Sequence, residues 1–108
     1  TFNSLTAFAG EDKEASDSIL RTFVDETGKS IHLLEEALPR RDRAEVARVS
    51  HKMIPLFSML GANSLVQHLR LLEKNDAELT DSGWDRLLEE VIAMARAIVE
   101  QASAHLGN

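Results

Sequence analysis

Apolar positions in this chain recur at three- and four-residue steps, and the recurrence breaks at only a few places. The first run is short. Phe2, Leu5 and Phe8 share one side of a helix predicted over residues 2–9, and Gly10 breaks it. A long run follows, predicted as a helix over 11–38, with Leu20, Phe23, Val24, Thr27, Ile31, Leu34 and Leu38 on its stripe. Gly28 lies inside it, at a cost of about 1 kcal/mol relative to Ala. Pro39 is expected to stop this helix because it carries no amide donor, and Arg40-Arg41 to make a short turn.

The third run is predicted as a helix over 42–60. Asp42 can cap it, and Glu45 three residues on completes an Asp-x-x-Glu capping box. At ~100° per residue, Val46, Val49, Met53, Leu56, Phe57 and Leu60 fall on one face. Gly61 and Asn63 mark the next turn. Leu65, Leu69 and Leu72 then carry a shorter helix over 63–74, and residues 75–80 read as a loop. The last helix is predicted over 81–105, on a stripe of Trp84, Leu87, Leu88, Val91, Ala95, Ile98, Val99, Ala102 and Leu106. No segment alternates with period two, and there is no Asn-Gly or Asp-Gly hairpin signal. The chain therefore reads as all-α: an antiparallel four-helix bundle with a short N-terminal lid helix. Phe23, Leu34, Val49, Met53, Leu69, Val91 and Ile98 are its expected core, and a monomer is the expected state.

Composition narrows the function. A length of 108 residues suits one domain over 1–108 with a single core. The absence of cysteine excludes a disulfide framework and a thiolate metal site, and suits a cytoplasmic setting. No apolar run approaches the ~20 residues that cross a bilayer, and no signal-peptide pattern is present, so no direct membrane contact is expected. A net charge of -6 argues against nucleic-acid binding. The chain begins at Thr1, and is expected to be a piece of a longer one.

Enzyme motifs are largely missing. Bundle di-metal sites are marked by Glu-x-x-His. The residues three before His32, His51, His68 and His105 are Lys29, Arg48, Leu65 and Ala102, so no metal site is expected. Ser50 and Ser58 flank a histidine, but no Gly-x-Ser-x-Gly elbow surrounds them. No Gly-rich phosphate loop appears, so the chain has no nucleotide site of its own. His32, His68 and His105 read as ordinary helix residues.

His51 stands apart. It lies roughly opposite the apolar face of its helix, among Ala44, Ala47, Arg48, Pro55 and Ser58. From Arg40 to Lys52 there are five basic residues, Arg40, Arg41, Arg43, Arg48 and Lys52, against Asp42 and Glu45. Cations so close favour the neutral, nucleophilic imidazole, and they favour an anion placed on its nitrogen. A solvated face with chance charges is the plainer alternative. Pro55 cannot donate to the carbonyl of His51 four residues back, so a local irregularity is expected under the histidine.

This pattern resembles the histidine phosphotransfer (HPt) domains of multistep two-component phosphorelays. Their signature is a histidine followed by Lys-Gly at the third and fourth positions and Leu-Gly-Ala at the ninth to eleventh. Leu60-Gly61-Ala62 stand in that last place after His51, and the acidic Leu-Glu-Glu-Ala-Leu run and Leu72-Glu73 also look like the family. Two positions depart from it: Ser50 stands where Ala is usual, and Ile54-Pro55 stand where Lys-Gly is usual. The Lys52-Met53-Ile54-Pro55 form looks like a variant from the C-terminal ends of hybrid sensor kinases. The resemblance implies that His51 accepts a phosphoryl group through Nε2 from a receiver aspartate and passes it to a second one. It also implies stabilisation by Arg48 and Lys52, docking on Ala47, Ile54, Pro55, Ser58, Met59 and Gly61, and Mg²⁺ supplied by the receiver rather than by this chain. A transfer-inactive adaptor of the same fold, or a plain docking bundle, remains the alternative.

Overall fold

The computed structural model describes residues 2–106, with the side chains of Ser4 and Phe8 outside that description. The expected apolar role of Phe8 thus lies outside the described residues. Five helices follow in order: α1 (Asn3–Thr6), continued by a 3-10 turn over Ala7–Ala9, α2 (Lys13–Arg40), α3 (Arg43–Met59), α4 (Asn63–Lys74) and α5 (Asp81–Leu106). No strand occurs among the described residues.

The helix ends follow from local chemistry. The Asp12 carboxylate caps α2 by accepting from the Ala15 amide at 3.2 Å, and Asp42 caps α3 through the Glu45 amide at 3.2 Å. Only half of the expected capping box forms, because the Glu45 carboxylate is turned to Arg48 instead. Pro39 does not stop α2, which runs on to Arg40. The proline enters the last turn, where it forfeits one bond, that to the Glu35 carbonyl. The stop comes at Arg41, in the left-handed region at φ 46. Its amide bonds the Leu38 carbonyl at 3.1 Å, and the Asp42 amide reaches back to Ala37 at 3.2 Å, a Schellman closure. Gly61 (φ 74) closes α3 in the same manner, with Gly61 on Ser58 and Ala62 on Phe57, both at 3.0 Å. A side chain would be strained at that φ, so the glycine is required for the tight turn into α4.

Short turns make neighbouring helices antiparallel. α3 and α4 pack as one hairpin, α2 lies against α5, and α2–α3 and α4–α5 contacts close the ring. The core is built from Leu20, Leu34, Val46, Val49, Leu65, Leu69, Leu72, Trp84, Leu88 and Val91, with the Phe23 and Phe57 rings edge-on at 5.8 Å. Phe2 of the lid meets Phe23 in a second edge contact at 6.2 Å. Ile98, expected in the core, is only half-buried. It borders the α3–α4 turn, past the N-terminal end of the short helix α4, beside Leu60 and Ala62. Leu56, also on the expected stripe, is half-buried at the α2–α3 seam.

Charged ties fix the two long helices. Arg41 forks onto Asp85 with bonds of 3.1 and 2.7 Å. Arg43 donates to the Leu79 carbonyl at 2.8 Å and to Asp81 at 3.1 Å, and its guanidinium lies 5.5 Å over the buried Trp84 ring. Arg96 of α5 pairs with Glu35 of α2.

Candidate functional site

α3 carries His51 on its outer side, with the histidine side chain 76% exposed. The preceding residue, Ser50, is fully buried. A single helical step therefore separates the core from the candidate site, and the ring stands on a rigid, well-packed helix. The ring leans toward α4, where Nδ1 pairs with the Glu73 carboxylate. Nδ1–H donating to a carboxylate leaves the lone pair on Nε2. Nε2 has no hydrogen-bond partner among the described residues. Pro55, four residues on, withholds an amide from the His51 carbonyl, yet α3 runs through without a break.

The structure redistributes the basic patch that the sequence placed around His51. Arg41 and Arg43 are committed to the α5 acids, and Arg40 donates to the Glu36 carbonyl at 3.2 Å. Arg48 donates through Nε to Glu45 at 2.7 Å. That contact raises the Arg48 pKa and lowers that of Glu45. Lys52, next to His51, is exposed and has no ion-pair partner among the described residues. Of the cations on α3, Arg48 and Lys52 are the exposed ones, and Lys52 also borders a cleft against α2.

The expected docking residues divide. Pro55, Ser58, Met59 and Gly61 are exposed and Ala47 is half-buried. Ile54 is a correction: it is buried, 9% exposed, and belongs to the core. Three residues past His51, it lies ~60° further round α3 toward α4, so its side chain enters the α3–α4 seam. The exposed apolar surface beside His51 is thus smaller than expected. On the other side of α3, an apolar cleft of about 280 Å³ is lined by Leu5, Ile19, Phe23 and Leu56.

The other histidines make local or interhelical pairs. His32 meets Glu36 one turn on, at 3.0 Å, and His68 joins α4 to Glu90 of α5 at 3.0 Å. His105 packs near the Phe2 ring. No group of three or more metal-ligating side chains occurs among the described residues, and no helix there is long and apolar enough to cross a membrane.

Sequence reasoning missed one member of the site, Glu73. Leu72-Glu73 stands out in the sequence only as a likeness to the family, whereas the contact with His51 joins residues 22 apart on two different helices.

The family model described as the Hpt domain matches residues 18–103. The chain belongs to that family. No curated protein and no solved structure matches it. As an Hpt domain it takes part in phosphotransfer in two-component signalling, and its family's partners are response-regulator receiver domains. Ile54, three residues past His51, is uncharged and buried, so that position presents no cation to solvent.

Proposed function

We propose that His51 is the phosphoryl acceptor, taking the group from a receiver aspartyl phosphate and passing it to a second receiver aspartate. The observation that carries this reading is the exposed ring tied through Nδ1 to Glu73, with Nε2 unpartnered. In the forward step the Nε2 lone pair attacks phosphorus in line. The bond from phosphorus to the aspartyl oxygen breaks, and its electron pair stays on the receiver carboxylate. The ring, still protonated at Nδ1, gains positive charge that the facing Glu73 carboxylate balances. Such transfer is mainly positioning and charge stabilisation. Lys52 and Arg48 supply cations on this side, and the receiver brings Mg²⁺.

The docking face is centred on Ala47, Pro55, Ser58, Met59 and Gly61, without Ile54. The apolar cleft beside Leu56 extends it toward α2. Met59, 44% exposed, is a large apolar side chain fit to be covered by a partner.

The test is incubation with a phosphorylated receiver and Mg²⁺, followed by analysis of the chain for label. Phosphohistidine is lost in acid and survives base, because protonation of the ring nitrogen makes it a good leaving group. Label that disappears in His51→Gln supports the relay. Receiver binding without label, across several receivers, leaves the adaptor as the function. Label that persists in His51→Gln overturns the assignment of His51.

A further inference from the structure

Glu45, Arg48 and His51 lie at three-residue steps along α3. Each step turns ~60° in the same sense, so Arg48 stands between a half-buried Glu45 and an exposed His51. Helical side chains lean toward the N-terminus of their helix. Arg48 accordingly leans toward Glu45, and its Nε donates to that carboxylate at 2.7 Å. The His51 ring leans the other way, toward α4, onto Glu73. The guanidinium is therefore held on the far side of its own turn from the group it is expected to stabilise.

We infer that Glu45 is a restraining residue: it holds Arg48 away from His51 in the unphosphorylated chain, and a phosphoryl group on Nε2 draws Arg48 off it. This rests on the proposed role of His51. The chemistry is an exchange of anions on one cation. A carboxylate carries one negative charge, whereas a phosphoryl group carries up to two and offers three acceptor oxygens. The guanidinium has five donors in a planar fork and suits either anion. Lys52 adds a neighbouring charge but no fork. The exchange costs no helix, because Glu45 serves the α3 cap through its backbone amide, which Asp42 accepts whatever the side chain does. Glu45 is a positioning residue, acting on the reaction only through Arg48.

Glu45→Gln is the direct perturbation, since it removes the charge and keeps the shape. The chain is phosphorylated with phosphoramidate, which delivers a phosphoryl group to Nε2 with loss of ammonia and needs no receiver. Two quantities are read: the rate of label on His51, and the NMR signal of the Arg48 Nε–H before and after labelling. In wild type the Arg48 signal should move on phosphorylation. In Glu45→Gln it should already be displaced in the unlabelled chain, and labelling should be roughly two- to fivefold faster, the range an exposed ion pair allows. The gain should vanish in the Glu45→Gln/Arg48→Gln double variant and shrink at high salt. An Arg48 signal that ignores phosphorylation overturns the proposal, as does a rate gain that survives without Arg48. Failure of receivers to label a chain that phosphoramidate does label, with Arg48 responding, would sink the relay reading and leave the restraint standing.

Discussion

Removing the Glu73 carboxylate isolates what α4 contributes to the histidine. A hydrogen bond to a charged group is worth about 1.5–3 kcal/mol when sheltered. The His51 ring is 76% exposed and Glu73 is 35% exposed, so solvent screens the pair. Discounting for that screening leaves roughly 0.5–1.5 kcal/mol, or a two- to tenfold change in rate. Glu73→Ala should therefore slow acceptance of the phosphoryl group from a receiver by about that factor. It should also shift the phosphoryl equilibrium toward the receiver, because the phosphorylated, Nδ1-protonated ring loses its counter-charge.

Glu73→Gln separates orientation from charge. The glutamine carbonyl still accepts from Nδ1–H, so the tautomer should persist while the charge is lost. Transfer in this variant should fall between wild type and Glu73→Ala. The readouts are rapid-quench transfer kinetics and the ring nitrogen shifts of His51, which report the tautomer. Unchanged rate and equilibrium in Glu73→Ala would refute the reasoning. So would a ring that holds the same tautomer in Glu73→Ala, where no acceptor faces Nδ1, since the lone pair on Nε2 would then owe nothing to α4.

Three further predictions concern the scaffold. Phe57, 1% exposed and edge-on to Phe23, should cost about 3–5 kcal/mol when cut to Ala, read by urea unfolding; a loss below about 1 kcal/mol would show that this ring is not a core element. Ser50→Ala should stabilise the chain by about 1 kcal/mol, because the buried hydroxyl has no hydrogen-bond partner, and destabilisation in the same assay would mean that the hydroxyl is satisfied. Arg41 holds the Asp85 carboxyl below its usual range. A lowered folded-state pKa contributes stability above the unfolded value of about 4 that is lost as pH falls through the folded value. Asp85→Asn should therefore be less stable than wild type near neutrality, with the gap closing in acid, and a pH-independent gap would contradict the ion pair.

The fold was legible because each helix announces itself locally. Three- and four-residue apolar steps, Asp42 before α3 and Gly61 after it are all properties of short windows, and the structure places the helices where those windows put them. Pro39 misled because a proline reads as a stop wherever it falls. It withholds only its own amide, and the Arg41 amide beyond it still bonds the Ala37 and Leu38 carbonyls, so the last turn closes past Pro39. Ile98 misled because periodicity shows which face a residue takes, but not whether a neighbouring helix extends far enough to cover it.

The site was legible only along α3, and the reason is electrostatic. Sequence proximity counted five cations near His51, but charge acts through space. Three of the five turn to carbonyls or to α5, and Arg48 turns to Glu45. The contact that sets the tautomer comes instead from an acid on α4. The Ile54 substitution bears on that contact. Position 54 lies in the seam between α3 and α4, on the side of His51 that Glu73 occupies. Ile54 turns into the core, and Glu73 has His51 as its partner. At position 54 the chain thus carries an apolar core residue and no charge, and the acid that meets Nδ1 comes from α4.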